Sequence, residues 1–90
     1  MICVDPLVGR RSPSWNWGES CHLFTDDDNY EELYEFGRKL NLDPIWFQFD
    51  KRLPHYDITR KKREAAVKAG AREVNMRYVR GVIHRRRSQA

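Results

Sequence analysis

Residues 53–70 read LPHYDITRKKREAAVKAG, and the fold depends on how this stretch is divided. Its second half predicts a helix from about Thr59 to Ala69. Thr59 or Asp57 is placed to cap the N-terminus, and Gly70 stands where a helix closes with a left-handed residue. The inner face of that helix would be Ala65, Ala66 and Ala69 with Val67 at the side, small enough to lie close on a sheet. The first half, His55-Tyr56-Asp57, reads as the corner that leads into the helix.

Working outward, ICV at 2–4 is a short β-prone run closed by Asp5-Pro6. The following LVGRRSPSWNWGES reads as a long loop, and loops beyond about 12 residues are usually functional or disordered. Trp15 and Trp17 argue against plain disorder. CHLFT at 21–25 is a second strand, with Cys21, Leu23 and Thr25 on one face and His22 and Phe24 on the other. DDDNYEELYEFGRKL then carries helix signals: Asp28 stands three residues before Glu31, and acids fill the first turn. Tyr30, Leu33, Tyr34, Gly37 and Leu40 recur at helical spacing, and Asn41 with Pro44 ends the run. IWFQF at 45–49 is an edge strand or a packed loop. REVNM at 72–76 is a third strand, with Val74 and Met76 facing one way. The implied fold is a small single-domain α/β sandwich of about three short strands and two to three helices. Residues 1–76 form the domain, and 77–90 a basic C-terminal helix or tail with the apolar stripe Val79, Val82, Ile83.

Ninety residues bound the chain to one domain near the lower limit of independent folding. That size makes a homodimer an expectation. Eleven aromatics point to a core of large side chains. Cys3 and Cys21 fall short of a disulfide framework or a four-cysteine zinc site, and are expected to face each other on paired strands as small buried residues. No run approaches the ~20 apolar residues that span a bilayer, and the N-terminus has no basic n-region. A cytoplasmic protein without membrane association is the expectation. Charge is strongly polarised: residues 1–57 carry 6 Lys/Arg against 11 Asp/Glu, net −5, and residues 58–90 carry 11 against 2, net +9. A basic half of this kind suits an anionic partner, a neighbouring acidic half, or simple solvation.

Several short motifs in this chain resemble a known family. Val4-Asp5, His22-Leu23 with Thr25-Asp26, Glu31-Glu32-Leu33, Trp46-Phe47-Gln48, His55-Tyr56-Asp57 and Gly70-Ala71 follow the pattern of DUF4031, a small bacterial and phage domain family of unknown function. The resemblance covers most of residues 2–76 and implies no activity. Pro6 replaces a second acid that members often carry. The tryptophan loop and the arginine-rich end lie outside the shared motifs.

An antiparallel pairing of the first two strands would bring Asp5, His22, His55 and Asp57 together, and three readings fit that cluster. The leading one binds the phosphate of a nucleotide or nucleic acid. His22, His55, Tyr56 and Asp57 form the pocket, and Arg60 and Lys61 at the helix N-terminus neutralise the anion. Arg77, Arg80, Arg85, Arg86 and Arg87 would follow a phosphate backbone, although no sequence-specific nucleic-acid motif is present. The second is a metal-dependent hydrolase of phosphodiesterase type, with Asp5, His22, His55 and Asp57 around a divalent ion such as Zn, Mn or Ni. The third is an adaptor that binds a host protein through the acidic helix and the Trp15–Trp17 loop. Each residue also has an ordinary role: Asp57 as a helix cap, His22 on a carbonyl, Tyr56 in the core, His55 orienting Asp57.

Overall fold

The computed structural model describes residues 1–9, 15 and 18–89. They form a mixed six-stranded sheet sandwiched between helices, so the expected α/β class holds with more strands than the sequence announced. The elements are β1 (Ile2–Val4), β2 (Val8–Gly9), β3 (Glu19–Thr25), α1 (Tyr30–Lys39), β4 (Phe47–Gln48), β5 (His55–Thr59), α2 (Arg60–Lys68), β6 (Arg72–Glu73) and α3 (Met76–Gln89). A 3-10 turn, Pro44–Trp46, precedes β4. The sheet order is β4-β5-β3-β1-β6, with β2 paired to β3. Among the described strand pairs, only β1–β6 is parallel.

Two helices form where the sequence places them, although of the expected inner face of α2 only Ala66 is buried, Ala65 and Ala69 being exposed. Asn29, rather than Asp28, caps α1, its side chain accepting from the Glu32 N–H. Leu33 and Gly37 are buried on its inner face, with Leu40 buried just past its end. Gly37 is required there by crowding: a Cβ would stand 2.8 Å from Cζ and Oη of Tyr56. Thr59 caps α2, and Gly70 closes the turn behind it at φ +111°.

The largest departure is β5. His55-Tyr56-Asp57 is not a corner but most of a central strand, and β5 passes into α2 without an intervening loop. REVNM contributes only Arg72 and Glu73 to the sheet. The Asn75 side chain accepts from the Tyr78 N–H and opens α3, so Met76 belongs to a helix. Within the segment expected to be a long loop, Val8–Gly9 forms β2, and Trp15 donates its Nε1–H to the Gly18 carbonyl at 3.1 Å.

Strand alternation divides the core. On one face Ile2, Val4, Cys21, Leu23, Tyr56 and Ile58 pack with Leu33 of α1 and Ala66 of α2. On the other, Cys3 and Phe24 pack with Leu53 and with Val79 and Val82 of α3. The C-terminal helix is therefore the outer layer of the second face. Cys3 and Cys21 do not face each other, since they lie in different clusters. Burial pushes the Cys3 thiol up to about 11 and the Cys21 thiol up to about 12. The thiolate is the reactive form. Native protein treated with iodoacetamide at pH 8 should keep its intact mass, whereas protein in urea should gain two adducts. No helix among the described residues is long and apolar enough to cross a membrane.

Candidate metal centre

The strands β1, β3 and β5 lie side by side, and a period of two decides which side chains share a face. Antiparallel pairing sets Val4 opposite Leu23 and His22 opposite Asp57. Asp5, one residue past β1, still donates its N–H to the His22 carbonyl at 3.3 Å. His55, two residues before Asp57, points to the same side. All four therefore stand on the face that α3 covers further along. The antiparallel arrangement expected from the sequence is the one observed.

The four do not play one part. Asp5 is 2% exposed, and both its oxygens are engaged by one residue. Oδ1 accepts the backbone N–H of His22 at 2.6 Å, and Oδ2 lies 2.6 Å from its Nδ1. Asp5 thus stands behind His22 rather than beside the other two. Its own carbonyl accepts from Nε of Arg63 at 2.9 Å, and the same guanidinium donates to Glu73, so α2 pins the ends of β1 and β6.

Both histidines are held by Nδ1. For His22 the anchor is the Asp5 carboxylate. For His55 it is the Leu53 carbonyl at 2.6 Å, which can only accept and so fixes a proton on Nδ1. In the neutral ring each Nε2 then carries the lone pair. Those two nitrogens converge on Oδ1 of Asp57, at 3.9 Å from His22 and 3.4 Å from His55. The ligand atoms of the three residues all lie within 4.8 Å of one another. The imidazole centroids are 4.4 Å apart with planes at 75°, an edge arrangement. Two ligands on a tetrahedral ion at about 2.1 Å stand about 3.4 Å apart, the separation seen between His55 and Asp57, while His22 stands wider at 3.9 Å from Asp57.

The cluster forms part of the wall of an open cleft of about 630 Å³. Its charged lining residues among those described are Asp5, Asp50 and Asp57. Gln48, Phe49, Asp50 and Met76 were missed as site residues. Asp50 takes the backbone N–H groups of Arg52 and Leu53 on one oxygen, and these bonds hold its carboxyl below the usual range. An aromatic run followed by Asp-Lys-Arg was the available signal for this rim.

Other expected site residues are placed elsewhere. Tyr56 is buried on the opposite face, against Phe47 and Gly37, because adjacent strand residues point apart. Arg60 is exposed and pairs with Glu19, Lys61 is exposed, and among the described lining residues none comes from α2. The phosphate corner built from Tyr56, Arg60 and Lys61 is therefore not assembled. Arg85 donates to the Asp26 carbonyl, and the half-buried Arg86 donates to the carbonyls of Arg52, Thr25 and Asp27. These two fasten α3 to the sheet. Arg77, Arg80 and Arg87 are exposed. Trp17 lies outside the described residues.

A family model described as a protein of unknown function (DUF4031) matches residues 2–87, and so extends through most of α3. No curated protein and no solved structure matches the chain.

Proposed function

For a chain that belongs to the DUF4031 family, we propose that His22, His55 and Asp57 hold one divalent transition-metal ion and that the protein is a hydrolase using water bound to it. The observation that carries this reading is the convergence of two Nδ1-anchored imidazoles on one carboxylate. Nitrogen donors with a carboxylate suit zinc, manganese, iron or nickel. Two further features support a catalytic rather than a structural ion. Three protein ligands would leave a coordination position for water, and all three residues line an open cleft. A bound ion of this kind lowers the pKa of its water toward neutrality and supplies a hydroxide nucleophile. Asp5 orients His22, and the Leu53 carbonyl orients His55, as outer partners do around metal ligands.

Native mass spectrometry of untagged protein titrated with zinc or manganese tests the site. One ion per chain is expected, lost in His55→Ala and in Asp57→Ala. The loaded protein should hydrolyse bis(4-nitrophenyl) phosphate at a rate that a chelator abolishes. Failure to retain any first-row divalent ion at micromolar concentration would overturn the reading.

A further inference from the structure

We propose that the substrate of this centre is a single-stranded nucleic acid, held along α3 and fed into the cleft at Met76. The inference rests on the metal reading for its chemistry, but its binding surface stands on separate residues.

Met76, 39% exposed, lines the cleft and is also the first residue of α3. From there Arg77, Arg80, His84 and Arg87 follow at spacings of three, four and three, which places them on one side of the helix. All four are exposed, while Val79 and Val82 point into the core. The helix contains no acidic residue. Arg85 and Arg86 are committed to backbone carbonyls, so the stripe is distinct from the arginines that hold the helix down. Ten residues of helix span about 15 Å, room for about four phosphates at the 3.4 Å spacing of a stacked strand.

The other end of the path is aromatic. Phe49 lines the cleft and is 84% exposed, with its ring set edge-on to Phe47 at 4.8 Å. An exposed, supported phenyl ring beside a phosphate track is a stacking platform for a base. A base reaches such a ring only when it is unpaired, and a cleft of about 630 Å³ admits a nucleotide and not a duplex. Single strands are therefore the ligand. In the reaction the oxygen of metal-bound water bonds to phosphorus while one phosphorus–oxygen ester bond breaks. The proton goes to the departing sugar oxygen, leaving a phosphomonoester and a hydroxyl. One water is consumed and nothing is oxidised.

Fluorescence anisotropy with labelled 12-mers of deoxythymidylate and of uridylate, and with a 12-base-pair duplex, tests the surface in EDTA, where cleavage is absent. Wild-type protein should bind a single strand more tightly than the duplex and weaken as salt rises. The DNA and RNA arms identify which sugar is preferred. Arg77→Ala/Arg80→Ala/Arg87→Ala should weaken binding at least tenfold and flatten the slope of log K against log salt by about 2, the share of three phosphate contacts. Phe49→Ala should weaken it about 5- to 100-fold. Binding unchanged in the triple variant, or tighter binding to duplex, would overturn the proposal. Zinc titration of the same triple variant separates the two readings. Retained zinc with lost oligonucleotide supports the surface, and oligonucleotide bound by a wild-type protein that takes no metal overturns the nuclease and leaves a binding stripe alone.

Discussion

Asp5→Asn is expected to weaken metal binding by about 10- to 100-fold while the protein stays folded. The two oxygens of Asp5 make different bonds to His22. Oδ1 accepts from the backbone N–H of His22, which can only donate, so the amide oxygen of an asparagine must stay on that side. The NH2 group then faces Nδ1 of His22, where the carboxylate now sits at 2.6 Å. It donates, Nδ1 becomes the acceptor, and the ring proton moves to Nε2. The nitrogen that points toward Asp57 no longer has a lone pair to give. Shape and volume barely change, so the thermal midpoint should move far less than the affinity. Competition with a chromophoric zinc chelator reads the loss, and a circular dichroism melt reads the fold. An unchanged affinity would show that the His22 tautomer is not set by Asp5.

Phe24→Ala is expected to cost about 3–5 kcal/mol of stability. Phe24 is fully buried and is the largest side chain of the smaller core, where Cys3, Leu53, Val79 and Val82 surround it. That cluster packs α3 onto the sheet, and its other buried members are all smaller than Phe24. A domain of this length holds about 0.05–0.15 kcal/mol per residue in total, so the loss is a large part of the whole. The thermal midpoint should fall by about 15–30 °C. A urea titration followed by circular dichroism measures the same quantity. A loss under 1 kcal/mol would mean that α3 does not depend on this residue for its seat.

Much of the scaffold was legible, and for definite reasons. ICV and CHLFT alternate across two buried faces, α1 repeats its apolar residues at helical spacing, and Thr59 with Gly70 brackets α2. The antiparallel pairing that sets His22 against Asp5 followed from asking which arrangement gathers the ionisable groups. What stayed hidden was β5. Its residues alternate as a strand should, Tyr56 and Ile58 against His55 and Asp57, but the second face is polar and lines the cleft. Polar residues before a helix resemble a cap, and no turn separates Thr59 from Arg60 to correct that impression. Tyr56 is grouped with them in that reading, although the same alternation places Cys21 and His22 on opposite faces of their strand. In the sequence the arginine tail is one basic run. Only the helix phase distinguishes Arg85 and Arg86, which grip carbonyls, from Arg77, Arg80 and Arg87, which do not lie on that side.

The two outermost strands of the sheet, β4 and β6, are each two residues long. A strand at the border of a sheet is a template on which a second chain can extend the ladder, and its hazard grows with its length. Here each border offers so few backbone groups that copies have little to zip onto. Phe49 and Ile45 stand exposed on either side of β4, where on a longer border they would seed amyloid-like growth. The brevity of the margins lets this chain carry bare aromatic surface next to its cleft without exposing a long cross-β template.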